Sequence, residues 1–272
     1  MGRHDRTEAV ELTETTSWPA SLNIFRVERV DDGQANMDLD TEFGESVASG
    51  RRPPSLRVWR AADKMGIGVS RRDVAGDAGA MARQRMMEAG FDVVVRQTGG
   101  TAVPQGAGVL HVSLILPRTA QAITTDAYYR TLCAPMIEWL RTHGLDAHTG
   151  PLPGSYCDGN YNILVDGRKL VGTAQAWRGG LAGVASARPG YILAQACVAV
   201  DIDEQESAAR INQFYRWSGD PYRVDATTST SLRACLPHLF SGLTAAEAAA
   251  ALAEEWLGYL SAWHPAPPAS WY

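Results

Sequence analysis

Cys157 is the residue whose surroundings most favour nucleophilic chemistry. It lies in the segment GSYCDG at residues 154–159, where glycines and polar residues predict a thiol that is not sealed in a core. A partly exposed cysteine beside a cation can have its pKa lowered from about 8.5 toward neutrality, and it then accepts acyl groups. The competing interpretation is an inert, small apolar residue. We apply that interpretation to Cys133, Cys197 and Cys235, which lie in apolar runs.

A glycine-rich stretch at residues 96–103, RQTGGTAV, is the second candidate for chemistry. Paired glycines after a strand let backbone amides approach a ligand closely, and Arg96 and Thr98 could hold a carboxylate or phosphate. A plain turn between two strands is the competing interpretation, because glycine pairs commonly mark turns. The stretch is not a P-loop, because no Gly-Lys-Ser/Thr follows it.

Lys169 and His111 are the remaining candidates, and each has two interpretations. Lys169 follows the dipeptide Asp166-Gly167 by two residues. Its ammonium points either to solvent, the common case, or into a pocket where it would polarise an acyl carbonyl. His111 lies in the run GVLHVSLIL. It either lines a pocket or is a hydrogen-bonded core histidine, and we favour the core because no partner motif accompanies it.

The elements that must position these residues follow from periodicity. Alternating or β-branched runs predict strands at residues 56–61, 91–97, 108–116 and 191–201, and a hairpin at 161–177. Helical periodicity predicts helices at residues 36–49, 72–89, 125–142, 203–217 and 244–262, with a short piece at 229–236. This order predicts an α+β fold with a mixed, largely antiparallel sheet flanked by helices.

Two helix ends carry specific signals. The helix at 125–142 is expected to be capped by Thr125 or Asp126 and to be kinked or restarted at Pro135. Thr244 followed three residues later by Glu247 predicts a capping box at the start of the last helix.

Composition narrows the class of protein. The chain has 272 residues, of which 45% are hydrophobic, as expected for a folded domain. Its net charge of −5 gives no basic surface for nucleic acid or for a membrane. The cysteines form no CxxC pair with matching histidines, so no metal site is expected. No secretory leader or long apolar run is present, and we expect a cytoplasmic protein.

The same patterns suggest how the chain is divided. Residues 1–30 are polar without periodicity and predict a flexible N-terminal arm. Residues 31–263 predict a single domain, with C-terminal helices from about residue 203. The proline content of residues 264–272 predicts a tail that forms no element.

Two motifs carry a resemblance to a known superfamily. RQTGGTAV followed by GVLHVSL resembles the lipoate-site motif of lipoate–protein ligases and octanoyltransferases. The hairpin YNILVDGRKLVGTAQ resembles their second signature, in which a lysine precedes a Gly-Ser/Thr-Ala-Gln run. The segment GSYCDGNYNI is similar to the cysteine segment of the octanoyltransferases that use the glycine-cleavage carrier, with Asp158 in place of proline. His111 stands where that family is expected to have asparagine.

The resemblance implies the biotin/lipoate ligase catalytic-domain fold and a function. Cys157 would attack the acyl carbonyl of an octanoyl or lipoyl group on a carrier, and Lys169 would orient that carbonyl. The expected donors are the glycine-cleavage H protein or acyl carrier protein, and the acceptors are lysines of apo lipoyl domains, with no cofactor. The substrate-binding residues implied by the motifs are Arg96, Thr98, Gly99, Gly100, Thr101, His111, Gly172, Thr173 and Ala174. Val95, Val103, Leu114 and Val171 could line the slot for the acyl chain.

Two other functions stay open at this point. An ATP-dependent lipoate–protein ligase would use Lys169 and the glycine pair to hold an acyl-adenylate with Mg-ATP, and Cys157 would be incidental. A non-catalytic binder of lipoyl domains or of biotin-like ligands would need none of this chemistry.

Overall fold

The computed structural model describes residues 18–19, 21–119, 123–180 and 189–264. The strands are β1 (Asn23–Phe25), β2 (Ser55–Arg60), β3 (Gly66–Ser70), β4 (Asp92–Arg96), β5 (Val103–Gln105), β6 (Val109–Pro117), β7 (Ala147–Gly150), β8 (Asn162–Val165), β9 (Arg168–Arg178) and β10 (Tyr191–Ala199). The helices are α1 (Gly33–Ala48), α2 (Gly76–Glu88), α3 (Thr125–Thr142), α4 (Glu204–Ser218), α5 (Leu232–Cys235) and α6 (Ala245–Ala262). The α+β prediction is confirmed.

The strands form two sheets. The large sheet has seven strands in the order β1-β2-β6-β10-β9-β8-β7, and its pairs are antiparallel except for β1 with β2. The small sheet has the order β4-β3-β5. The predicted hairpin is present, with Asp166 and Gly167 both at positive φ, as the mirror-image hairpin turns require.

Four short strands, β1, β3, β5 and β7, do not follow from sequence periodicity. Each has only three to five residues, too few to show alternation. β1 pairs in parallel with β2, so Asn23–Phe25 belong to the sheet and not to a flexible arm. Residues 1–17 of the predicted arm and 265–272 of the predicted tail lie outside the described residues.

The helices mostly begin and end where predicted. α3 has the predicted bounds, but its cap is Thr124, whose Oγ1 accepts from Ala127 N, and not Thr125 or Asp126. The helix also continues through Pro135 without a break. The capping box of Thr244 and Glu247 is confirmed. In the described part of the chain, no helix is both long and apolar enough to cross a membrane.

The two faces of the large sheet differ in what covers them. One face, which includes Leu114 and Val171, packs against α3 and α6 in the largest hydrophobic cluster. The opposite face meets α1, which packs on Ile115 and Leu193, and it also faces the small sheet. The side chains of Arg96, His111 and Cys157 line the space between the two sheets.

Candidate active site

Cys157 lies in a loop over the large sheet, and residues 154–159 are called the cysteine loop below. Its side chain is 6% exposed. The expectation of a partly exposed thiol is therefore wrong, because the glycine-rich turn packs directly on it. Its backbone has a φ of 45°, a left-handed conformation that costs a non-glycine residue about 1–3 kcal/mol and occurs most often at functional sites. Its amide N donates to Thr101 Oγ1 at 2.9 Å.

Lys169 is the second residue of strand β9, and its side chain reaches the cysteine loop. Its side chain is fully buried, and its Nζ donates to the backbone oxygens of Tyr156 and, at 2.9 Å, Cys157. The ammonium also lies 4.5 Å from the centre of the Tyr156 ring. Burial lowers the pKa of Lys169 from 10.5 to about 8, while the nearby Cys157 opposes that shift. The Lys169 ammonium therefore points inward, toward the cysteine loop, and not to solvent.

Arg96, at the end of β4, brings a cation to the thiol. Its Nη2 lies 3.6 Å from Cys157 Sγ and donates to Thr101 O at 2.7 Å. Its Nε is buried without a hydrogen-bond partner. Gly100 has a φ of 94°, and a Cβ placed on it would lie 2.3 Å from Cys157 Sγ. The turn therefore needs glycine here, both for its backbone and for the contact with the thiol.

The other residues of the glycine-rich turn play different parts. Thr98 is buried and its Oγ1 donates to Gln195 Oε1 at 3.2 Å. Thr101 holds the cysteine loop through the hydrogen bond already described. Gly99 is exposed, and a Cβ placed on it would meet no atom within 4 Å. The structure thus gives Gly99 no contact with the site.

A narrow pocket lies between the cysteine loop and the two sheets. Its lining consists of Arg96, Val103, His111, Cys157, Gly172, Thr173, Ala174, Gln195 and Cys197. Of the four residues proposed for an apolar slot, Val103 alone is among them. Leu114 and Val171 belong to the helix-covered face instead, because their strand positions alternate with those that line the pocket.

His111 combines both of its interpretations. It is 1% exposed, and its ring stacks on Trp59 with centroids 4.2 Å apart. Its Nε2 lies 3.0 Å from Gln105 Nε2 and 3.3 Å from Gln105 Oε1. Burial lowers the pKa of His111 from 6.5 to about 3, so the imidazole is neutral. It is a hydrogen-bonded core histidine that also forms one end of the pocket.

Gln195 and Cys197 line the pocket, although the sequence interpretation passed over Gln195 and treated Cys197 as inert. Burial raises the pKa of the Cys197 thiol to about 12, so its neutral, unreactive character agrees with that interpretation. Gln195 Nε2 donates to Asp40 Oδ2 at 2.9 Å, and Asp40 is paired with the buried Arg57 at 2.8 Å. A polar residue in the apolar run YILAQACVA was the available signal for Gln195.

The cysteine loop and the glycine-rich turn are both held from the C-terminal part of the chain. Tyr222 Oη donates to Ser155 O at 2.8 Å. Tyr215 Oη accepts from Ala102 N at 2.7 Å and donates to Asp73 Oδ1 at 3.0 Å. The two tyrosine rings meet edge to face at 5.0 Å. These contacts couple the two loops that surround the thiol, and they were not predicted.

Among the described residues, no group of three or more His, Cys, Asp or Glu side chains is arranged to hold a metal ion. The arrangement that is present joins a thiol and an adjacent guanidinium, which both line a narrow pocket, with a buried ammonium that contacts the cysteine loop. The thiolate is the nucleophilic form of cysteine, and the Arg96 guanidinium lies 3.6 Å from the sulfur. This geometry can form and break a thioester with an acyl group whose chain lies in the pocket.

Comparisons with known proteins identify the family of this chain. Residues 32–256 match the family model of the lipoyl protein ligase A/B catalytic domain. An octanoyl-[GcvH]:protein N-octanoyltransferase of Kyrpidia tusciae is 39% identical over 203 residues, which cover 75% of this chain and 67% of that protein. A protein of the same name from Anoxybacillus flavithermus is 29% identical, over 78% of this chain and 71% of that protein. A solved lipoate-protein ligase A bound with ATP shares the fold, with a TM-score of 0.60 and 21% identity, over 88% of this chain and 85% of that one.

Proposed function

The chain belongs to the lipoyl protein ligase A/B catalytic-domain family, and from this premise we propose that it transfers an octanoyl group from a carrier protein to a lysine of a lipoyl domain through a thioester on Cys157. The names of the relatives support octanoyl as the acyl group and the glycine-cleavage H protein (GcvH) as the donor. The acceptor is an unmodified lipoyl domain.

One observation carries the proposal: Cys157 Sγ lies beside the Arg96 guanidinium, at 3.6 Å, and lines the same pocket as Gly172 and Ala174. An acyl group that enters the pocket thereby meets the nucleophile at its carbonyl end. An ATP-dependent mechanism would give the thiol no task in this position.

The reaction takes two steps, and neither needs a cofactor. In the first, Cys157 Sγ bonds to the acyl carbonyl carbon, the bond to the donor nitrogen breaks, and that nitrogen leaves as an amine after taking a proton. In the second, the acceptor lysine amine attacks the thioester carbonyl and the carbon–sulfur bond breaks, which returns the thiolate and releases a proton. The donor and product are both amides, so the overall transfer needs no ATP.

Arg96 and Lys169 act on this reaction in different ways. Arg96 places a positive charge beside the Cys157 sulfur, and its unpartnered Nε is available to the oxygen on which negative charge develops. Lys169 donates two of its three N–H groups to the carbonyl oxygens of Tyr156 and Cys157. It holds the strained backbone of the cysteine loop and places a positive charge beside the reacting atoms.

The experiment mixes octanoylated GcvH with an apo lipoyl domain in the absence of ATP and measures octanoylation of the acceptor lysine by mass spectrometry. The wild type is expected to transfer the group, and Cys157→Ser is expected not to. Cys133→Ser is the matched control, because Cys133 is equally buried but lies in helix α3, in the helix-covered cluster.

Three results would contradict the proposal. Transfer by Cys157→Ser at the wild-type rate would make the thiol incidental. Modification of the acceptor only when free octanoate and Mg-ATP are supplied would identify a ligase. Binding of the lipoyl domain without any modification under either condition would identify a non-catalytic binder.

A further inference from the structure

The floor of the pocket is a row of residues that crosses four adjacent strands. Gly172 on β9 pairs with Cys197 on β10, Cys197 pairs with His111 on β6, and His111 pairs with Trp59 on β2. Residues directly opposite one another in a sheet point to the same face. The row therefore runs under the pocket from a glycine, past a cysteine, to two stacked rings.

The two ends of this row differ in function. At Gly172, the missing side chain leaves space for the Lys169 ammonium, whose Nζ would lie 3.3 Å from an added Cβ. This is the end at which Lys169 also contacts Cys157. At the other end, the large rings of His111 and Trp59 fill the space above strands β6 and β2. Cys157 and His111 line the same pocket, so an acyl chain that starts on Cys157 and follows this row runs toward His111.

His111 is held rigidly in this place. Trp59 stacks on one side of its ring and donates its own Nε1 to Ser113 Oγ at 3.0 Å. Both atoms of the Gln105 side-chain amide lie within 3.3 Å of His111 Nε2. A side chain with these contacts and 1% exposure resists displacement, because packed cores do not deform gradually.

The distance from Gly172 to His111 gives the length of the row between its two ends. Neighbouring strands lie about 4.8 Å apart, so two spacings from β9 to β6 give roughly 9–10 Å. An extended eight-carbon acyl chain has about this reach. Between the two ends, the row carries the small residue Cys197, and Val103 also lines the pocket.

We propose that His111 is the chain-length stop of this enzyme, which admits a straight eight-carbon acyl group and rejects longer chains and the bulkier lipoyl ring. The inference rests on the proposed function, because it presumes a thioester on Cys157. It adds the residue that decides which acyl group is accepted.

The test is a series of GcvH proteins carrying six-, eight-, ten- and twelve-carbon acyl groups or lipoate on the same lysine. The rate of adduct formation on Cys157 is measured for each by intact mass. The wild type is expected to react with the ten-carbon group about tenfold or more slowly than with the eight-carbon group, because overpacking a rigid pocket end is unfavourable. His111→Ala is expected to remove most of that difference in rate between the ten-carbon and eight-carbon groups.

Two further variants keep the test decisive if His111→Ala folds poorly. His111→Asn is smaller but retains an amide that can bond Gln105, and it is expected to move the limit in the same direction. Cys197→Val places a larger side chain in the middle of the row. It is expected to slow the reaction of the eight-carbon group more than that of the six-carbon group. His148→Ala is the matched control, because His148 lies on β7 of the same sheet and is exposed.

The outcomes separate this inference from the proposed function. An eight-carbon adduct with the same chain-length profile in wild type, His111→Ala and His111→Asn would overturn the stop and leave the transferase intact. The absence of an adduct with every acyl group would remove the thioester and overturn both.

Discussion

Replacing Lys169 by methionine tests how the buried ammonium serves the site. Methionine fills a similar volume but leaves the Tyr156 and Cys157 carbonyl oxygens without their donor. Each buried acceptor left unpaired costs about 1–3 kcal/mol of folding stability, so the two carbonyl oxygens together cost roughly 2–6 kcal/mol.

An opposing contribution comes from the charge itself. Burial lowers the pKa of Lys169 from 10.5 to about 8, which corresponds to roughly 3 kcal/mol of unfavourable free energy for the charged form in the folded protein. The variant is relieved of that penalty. Lys169→Met is therefore expected to change the free energy of unfolding at neutral pH by only about +1 to −3 kcal/mol, while acyl transfer falls on the order of a hundredfold.

The pH dependence gives the sharper result. Because the pKa of Lys169 is lower in the folded protein than in the unfolded chain, the penalty is complete below about pH 8 and disappears above about pH 10.5. The stability of the wild type relative to Lys169→Met should thus rise by about 2 kcal/mol between about pH 7 and about pH 9.5. Urea unfolding of both proteins, followed by tryptophan fluorescence, measures this difference. A difference that is constant or falls over this range would refute the assignment of Lys169 as a buried charge.

Three further substitutions test separate parts of the site. Gly100→Ala is expected to abolish acylation of Cys157, because the new Cβ would lie 2.3 Å from its Sγ. Gly99→Ala is the control and is expected to retain acylation, because a Cβ at this position meets no atom within 4 Å. Equal acylation rates in the two variants would contradict the close contact. Tyr222→Phe removes the hydrogen bond to the cysteine loop and should cost about 1 kcal/mol of stability and slow thioester formation; an unchanged acylation rate would contradict the coupling. Arg57→Met leaves a buried carboxylate unpaired and should destabilise the protein by about 3–5 kcal/mol in urea unfolding; a loss below 1 kcal/mol would show that this pair contributes little.

Local sequence signals predicted much of the fold. The Asp166-Gly167 hairpin, the bounds of helix α3 and the Thr244 capping box are each decided by residues within a few positions of one another. Their physical causes, turn conformation and end capping, act at short range. Strand β3 shows the opposite case. Its sequence GIGVS is an unlikely strand in isolation, but a Cβ on Gly66 would lie 2.0 Å from Asp92 O of strand β4.

The site was predicted as a set of residues but not as a geometry. The motifs pointed to Cys157, Lys169 and Arg96, and the structure brings these three together. Whether Lys169 points inward depends on register and on the loop that covers it, which periodicity does not contain. Cys197 and Gln195 enter the pocket because of strand pairings between distant segments. The burial of Cys157 likewise results from contacts with residues about 56 positions earlier in the chain.

The central claim is that Cys157 carries the acyl group during transfer. The most direct measurement is the intact mass of the purified protein after mixing with octanoylated GcvH, without ATP and without acceptor. We expect an octanoyl adduct that hydroxylamine removes, that maps to Cys157 and that is absent from Cys157→Ser. An unmodified wild-type protein under conditions in which the acceptor lysine still becomes octanoylated would contradict the account.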